Sequence, residues 1–295
     1  MATEIFAGAL GEMRTASTAA GGSALTTTAT YTALPIGTHW VSLTPRNFAT
    51  AVVAKIAFNP YLIILKTTDL LATVANLTDY SENAQDGVAG NVVTLNAFDT
   101  IANGNALYFG SPLPLRGLSV TIGNTNAAGG STGTIKYWKS ATPNAWADIT
   151  ITDGTKSTDT FRQTGLIVWT VVTDHLKRSI TEIALDQLDD TRSGGAVTPE
   201  TTIALNARPA SLNIPMYWYR YETNVAFDAA VTATAILAVN RNTAQYAELL
   251  SGQTLEETVH RGIGGIGCIE HLTDAGTANL VINAATRSTG GGFNV

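Results

Sequence analysis

The chain has 295 residues, 17 of them basic and 23 acidic, so its net charge at pH 7 is −6. This charge, with no local concentration of Lys or Arg, disfavours direct binding to nucleic acid. The single cysteine, Cys268, excludes an internal disulfide. The chain contains no run of about 18 uncharged apolar residues, so no membrane helix is predicted, and the N-terminus lacks a signal-peptide pattern. We therefore expect a protein made in a cytoplasm.

Charged residues are scarce, at 14% of the chain against roughly 25% in ordinary globular domains. A surface short of charge indicates that other subunits cover much of it. The alternative is that Thr-rich strands expose hydroxyl groups on their solvent faces.

The chain begins with residues 1–35, a low-complexity stretch of Ala, Thr, Gly and Ser. Such a segment buries too little apolar area to fold alone. It predicts a flexible N-terminal arm, either disordered or ordered only against a neighbouring subunit.

Short apolar and aromatic bursts separated by turn residues follow from 36 to 240, a pattern typical of β-strands. The segments HWVSL, ATAVVAKIAF and YLIILKTTD predict three strands, and 70–90 a long loop with one helical turn at 81–85. The run 125–133 predicts a flexible hairpin loop. Further strands are predicted at 91–99, 105–110, 118–122, 134–138, 146–151, 166–170, 216–224 and 233–239.

The strand rhythm stops at 181–213, an acidic stretch with Gly and Pro that predicts a protruding insertion. Residues 241–295 form a C-terminal extension with a two-turn helix in NTAQYAELLSG, a last strand in NLVINA and a Gly-rich tail. The predicted fold is all-β, an antiparallel and jelly-roll-like sandwich over 36–240 with an extended arm and a loop insertion.

Gly262, Gly264 and Gly267 match the letters of a dinucleotide-binding fingerprint. That motif needs a preceding strand, a following helix and a distant acid within a βαβ unit. The candidate helix CIEHLTDAG is short and contains Gly276. A flexible or tightly packed glycine loop is the preferred interpretation, and no cofactor is predicted.

Other chemical candidates are weak. His260, Cys268 and His271 fit no zinc spacing, so a small buried cysteine near two solvated histidines is preferred and no metal is predicted. The carboxylate pairs Asp189-Asp190 and Glu256-Glu257 resemble solvated acids more than a glycosidase pair. The loops 152–155 and 186–190 carry oxygen donors without an EF-hand register. No catalytic residue is predicted.

Several aromatic residues are candidates for an exposed binding or interface surface: Trp138, Trp146, Tyr217 and Tyr219. Flat rings of this kind stack on sugars, but more often they fill a sandwich core. In YWYR, strand alternation places Tyr217 and Tyr219 on one face and Trp218 and Arg220 on the other.

Five short motifs follow one another in the middle of the chain. They comprise a Tyr-Trp strand at 137–138, a second Trp at 146, an Asp-Gly-Thr turn at 153–155, a Gly-x-x-x-Trp strand at 165–169 and Tyr-Trp-x-Arg at 217–220. Together with PRNF, AFNPYLIILKTTD, DYSENAQDG and YFGSPLPLRGL, these motifs resemble those of uncharacterised virion proteins of tailed bacteriophages. The resemblance implies a β-sandwich without enzymatic residues. The insertion at 181–213 is longer than the resemblance leads us to expect between the strands that contain Trp169 and Trp218.

The composition and the resemblance lead to one expectation. The chain is expected to be a non-enzymatic structural protein of a phage particle, assembled in the host cytoplasm as a capsid decoration or cement subunit. The expected partners are the major capsid protein or tail components and further copies of the chain, with no nucleic acid and no membrane. The alternatives are a tail or baseplate protein and a carbohydrate-binding adhesin.

Overall fold

A computed structural model describes residues 13–15, 22–35, 37–50, 53–73, 76–139, 146–189, 214–240 and 246–286. The chain divides into two compact units. The first unit comprises Met1–Tyr61, Gln85–Gly87 and Arg241–Val295, and the second comprises Leu62–Ala84 and Val88–Asn240. They are called the first and the second sandwich below. Each contains two antiparallel sheets packed face to face, so the predicted all-β sandwich is confirmed. The finer jelly-roll assignment stays a prediction.

The first sandwich is built from the two ends of the chain. In sheet A, β21 (Ala278–Thr286) lies between β4 (Thr38–Arg46) and two short strands, β1 (Met13–Thr15) and β2 (Ser23–Leu25), and β19 (Leu255–Thr258) extends the far side of β4. Sheet B has the order β18 (Ala247–Leu249), β5 (Ala54–Pro60), β20 (Ile266–Thr273) and β3 (Thr30–Ala33).

Alternate residues of these strands meet between sheets A and B. The apolar core includes Val41, Leu43 and Ile282 from sheet A and Ile56 and Ile269 from sheet B. Because successive strand residues point to opposite faces, each strand contributes every second side chain. The single cysteine, Cys268, is buried and forms no disulfide.

The second sandwich contains the longer pair of sheets. Sheet C has the order β12 (Trp146–Ile149), β11 (Gly133–Trp138), β16 (Met216–Thr223), β9 (Ala106–Ser111), β6 (Ile63–Thr67) and β7 (Leu77–Asp79), and β15 (Lys177–Arg178) also pairs with β16. Sheet D has the order β13 (Ile151–Asp153), β14 (Gly165–Trp169), β10 (Gly117–Asn124), β17 (Thr232–Val239) and β8 (Val93–Thr94). A 3-10 helix spans Ile101–Asn103, and helix α1 spans Ile180–Asp189.

Most of the strands predicted from the sequence lie within two residues of an observed strand, whereas β3, β7, β19 and β20 were not predicted as strands. The tertiary arrangement explains several of the differences. The segment 91–99 forms only β8, and CIEHLTDAG forms part of β20 rather than a helix. In NTAQYAELLSG the described part forms β18, because pairing with β5 outweighs its local helix preference. The single turn at 81–85 is present, with the Ala84 N–H donating to the Tyr80 carbonyl.

Three larger features differ from the sequence expectations. Residues 23–25 and 30–33, assigned to a flexible arm, are strands of the first sandwich. Strands β4 and β5 pair with the C-terminal strands β21 and β20, so the units differ from the predicted division at 35 and 240. The insertion at 181–213 begins inside helix α1, and its remainder from 190 lies outside the described residues.

The run 125–133 is not a hairpin, since it connects β10 in sheet D to β11 in sheet C. It is tied down by neighbouring loops. The Asn126 side-chain amide donates to the Ser131 hydroxyl and the Thr160 carbonyl, and Asp159 accepts from the Gly130 and Ser131 N–H groups. These bonds satisfy backbone groups that the strands leave unpaired.

Candidate functional site: the two faces of sheet C

Sheet C carries most of the aromatic residues identified in the sequence, and strand alternation divides them between its two faces. Tyr219 and Tyr221 belong to the core between sheets C and D, and the half-buried Tyr217 packs against that core. Trp218, Arg220 and Glu222 occupy the alternate positions of β16 and so point to the outer face. The predicted division of YWYR is therefore confirmed.

The inner tyrosines are structural. The Tyr219 hydroxyl accepts a hydrogen bond from the Leu115 N–H at 2.7 Å, and the Tyr221 hydroxyl lies 2.9 Å from the Thr160 hydroxyl. Burial raises the pKa of both phenols far above the ordinary value of 10.0. Neither ionises in the physiological range, so neither is suited to act as a general base there.

His175 lies among these tyrosines. Its ring centroid is 5.4 Å from that of Tyr137, 5.0 Å from that of Tyr217 and 4.7 Å from that of Tyr219. Nε2 lies 3.0 Å from the Trp218 carbonyl oxygen, which requires the proton on Nε2. Burial lowers the pKa of His175 to about 4. The histidine is therefore neutral at pH 7, and no sequence pattern pointed to it.

An ion pair between Asp174 and Lys139 lies beside this cluster. Asp174 accepts a hydrogen bond from the Tyr137 hydroxyl at 2.8 Å and lies 3.1 Å from the Lys139 ammonium. The hydrogen bonds from Tyr137 and Lys139 lower the pKa of Asp174. Since both charged side chains are about half exposed, the ion pair contributes little to stability.

The outer face carries a second aromatic cluster around Trp146. The Trp146 ring lies 5.2 Å from that of Trp138, edge to face, and 5.7 Å from that of Tyr108. The Arg220 guanidinium lies 4.6 Å from the Trp146 ring centroid. The indole nitrogens of Trp138 and Trp146 are buried and find no hydrogen-bond partner among the described residues.

Four charged side chains extend this outer cluster across three strands. Arg220 donates to Glu222 from Nε at 2.6 Å, and both side chains are more than nine-tenths buried. The Lys136 ammonium lies 3.7 Å from Glu222 and 3.5 Å from Asp148. The side chains thus connect β16, β11 and β12. The alternation in YWYRYET would have placed Arg220 and Glu222 on one face, although the sequence analysis did not identify Glu222.

The four aromatic residues that were candidates for an exposed surface differ in their burial. Trp138 and Tyr219 are fully buried, whereas Trp146 and Tyr217 are half-buried. Stacking on a sugar requires a free ring face, but Arg220 lies over the Trp146 ring and Lys177 over that of Tyr217. The prediction of exposure is wrong for Trp138 and Tyr219, and packing is the interpretation that fits them.

The glycines of the candidate dinucleotide-binding motif differ in their surroundings: an added Cβ would have no neighbour closer than 4.0 Å at Gly262 and Gly264, whereas Gly267 is tightly packed. A strand, β20, follows the motif instead of a helix. A Cβ on Gly267 would lie 2.8 Å from the Tyr61 Cα, and Gly262 and Gly264 have positive φ angles that favour glycine. The neighbouring Arg261 donates to the carbonyls of Leu34 and Gln85.

The remaining candidates do not form one site. Cys268 is buried and His260 is exposed, as predicted, but His271 is fully buried, with Nε2 2.9 Å from the Thr32 hydroxyl. Burial lowers the pKa of His271 to about 4. Glu256 and Glu257 are exposed on β19, and Asp190 lies outside the described residues, as do the side chains of 186–189.

The 152–155 loop is an internally bonded turn. Asp153 accepts hydrogen bonds from the Thr155 N–H and hydroxyl and from the Thr160 hydroxyl. Its carboxylate oxygens are thus used within the turn.

Across the described ranges, no group of three or more His, Cys, Asp and Glu side chains is arranged to hold a metal ion. In the same ranges no helix is both long and apolar enough to cross a membrane. Comparison with protein-family models, with curated proteins and with solved structures finds no match.

Proposed function

We propose that the chain is a non-enzymatic structural protein of a tailed-bacteriophage particle, and that it acts as a capsid decoration or cement subunit. The proposal combines the sequence resemblance with the arrangement of side chains in the second sandwich. Its partners would be the major capsid protein or tail components and other copies of the same chain.

One observation carries the proposal: the polar and aromatic side chains of sheet C hold strands together. Arg220, Glu222 and Lys136 connect neighbouring strands, and Tyr219 and Tyr221 bind loops at the edge of the core. Active sites, in contrast, hold titratable groups at accessible positions with pKa values near the working pH. In sheet C these groups serve rigidity, which a shell component requires.

The mechanism would be burial of surface between subunits. With 14% charged residues, the exterior opposes close packing of neighbours less than an ordinary surface does. Symmetry repeats each modest contact many times, so the total stabilisation of a shell is large even where one interface is small.

Quantitative mass spectrometry of purified particles of the encoding phage tests this proposal. A decoration subunit is expected in hundreds of copies per particle, in a fixed ratio to the major capsid protein. A few copies, up to about a dozen as in cyclic assemblies, would favour the tail or baseplate alternative. Absence of the chain from washed particles would contradict a virion role.

The adhesin alternative is tested on the same protein. Iodide quenching measures whether indole rings are accessible to solvent. We expect the buried Trp138 and Trp218 to be protected, and substitution of Trp146 to remove part of the small quenchable fraction. A quenchable signal that a soluble oligosaccharide protects would favour a sugar-binding surface instead.

A further inference from the structure

The outer edge of β21 is covered by the N-terminal segment in two short pieces. Both pieces pair with β21 in the antiparallel direction: Met13–Thr15 lie opposite Asn283–Ala285, and Ser23–Leu25 lie opposite Ala278–Leu280. Seven residues, 16–22, separate the two pieces, whereas only 281 and 282 separate their partners on β21. The described residues of the segment thus pair with β21 at two separate places.

The attachment is nevertheless specific. Leu25 is fully buried in the core of the first sandwich. Gly22 has a φ of +98°, and a Cβ there would lie 2.6 Å from the Leu280 carbonyl oxygen. Only glycine allows the backbone to approach β21 so closely. The β21 edge therefore fits this particular segment, with Leu25 as its apolar anchor.

The connection that follows β2 has the features of a hinge. Residues 26–29 cross from β2 in sheet A to β3 in sheet B, and Thr26, Thr27 and Thr28 are exposed. Apart from the Thr26–Thr28 contacts within it, the hydrogen bond described for this connection runs from the Thr273 N–H to the Thr26 carbonyl. Straightening it would free β1 and β2 together, since β21 is their one partner among the strands that the structure describes.

We propose that residues 13–25 are exchanged between copies of the chain, each segment pairing with β21 of a neighbour. The exchanged contacts are identical to those within one chain, so exchange loses little interaction energy. A free sheet edge would recruit other strands, and a neighbour's segment covers it equally well. The inference deepens the proposed assembly role and rests on it, because crowded copies favour the exchanged form.

Cysteine pairs at opposed strand positions distinguish the two forms. Ala24 lies directly opposite Asn279 in the β2–β21 pair, and opposed residues have Cα atoms about 4.5–5.5 Å apart, which suits a disulfide. One chain carries Ala24→Cys and a second carries Asn279→Cys, both with Cys268→Ala. The chains are mixed in equal amounts, unfolded, refolded together and oxidised.

Exchange is expected to yield a reducible covalent dimer that contains both chains, involving up to about half of the chains for random pairing. Each chain alone serves as a control. The matched control replaces Asn279→Cys by Asn283→Cys, about 13 Å further along β21 at 3.3 Å per residue, and should yield little dimer. A chain with both Ala24→Cys and Asn279→Cys shows that the pair can close. If that chain closes internally while the mixture yields no dimer, exchange is refuted.

A second measurement does not depend on disulfide formation. Light scattering should give a multimer mass that falls with Gly22→Val, a change that obstructs docking but retains the Leu25 anchor. Circular dichroism controls for an intact fold. A single-chain mass at every concentration would refute exchange. The copy number in particles is measured separately, so a failure of exchange and a failure of the virion role remain distinguishable.

Discussion

Gly110→Ala tests the packing of the outer face of sheet C. Gly110 lies directly opposite Trp218 in the β9–β16 pair. A Cβ on Gly110 would lie 2.7–2.9 Å from three atoms of the Trp218 ring, closer than carbon atoms approach in proteins. The ring is fully buried and its Nε1 donates to the Arg178 carbonyl at 2.8 Å. It therefore cannot move without losing that hydrogen bond.

The expected loss of unfolding free energy is about 3 kcal/mol. Overpacking contributes about 2 kcal/mol and a buried indole N–H without its acceptor about 2 kcal/mol, while the reduced entropy of the unfolded chain offsets about 1 kcal/mol. Equilibrium urea unfolding followed by tryptophan fluorescence measures this loss, since four of the five tryptophans lie in the second sandwich.

Two comparisons isolate the cause. Gly129→Ala in the same sandwich adds a Cβ with nothing within 4 Å, so its effect should stay within about 0.5 kcal/mol. In a Trp218→Leu background the clash is absent, and Gly110→Ala should then cost less than about 1 kcal/mol. An equal loss in both backgrounds, or none in the wild-type background, would refute the packing explanation.

Three further perturbations have defined outcomes. Glu222→Gln removes the negative charge bonded to the buried Arg220 and should lower the unfolding free energy by about 3 kcal/mol. Urea unfolding measures this loss, and a change below that of an exposed ion pair would contradict the prediction. His175 and His271 have a pKa of about 4 when folded, against 6.5 ordinarily. Because the unfolded histidines bind protons more readily than the folded ones, the unfolding free energy is highest above pH 6.5. It decreases as the pH falls towards 4, by about 3 kcal/mol for each histidine. Thermal unfolding from pH 7.5 to 4.5 measures this loss, and His→Gln variants should flatten it. Asp153→Ala removes three hydrogen bonds from its turn and should cost about 2 kcal/mol, whereas an unchanged melting temperature would show that the turn forms without them.

Local sequence patterns placed most of the strands that they predicted, but they missed short strands such as β7 and β15 and the longer β20. The alternation in YWYR places Tyr219 and Trp218 on opposite faces in the structure, because the side-chain period of a strand is two whatever its partners are. The same patterns failed where long-range pairing decided the local conformation. The segment around Ala247–Leu249 forms an edge strand because β5 offers backbone partners, which no local pattern records.

The sequence by itself therefore determined the fold class, the positions of most of the strands that it predicted, and the faces of β16. Only the tertiary structure decided which strands share a sandwich, because pairing between residues as distant as Ser23 and Leu280 depends on long-range contacts. It also decided the state of His175 and His271, whose pKa values follow from burial. The enclosure of Trp138 by neighbouring strands likewise has no signature in the spacing of residues.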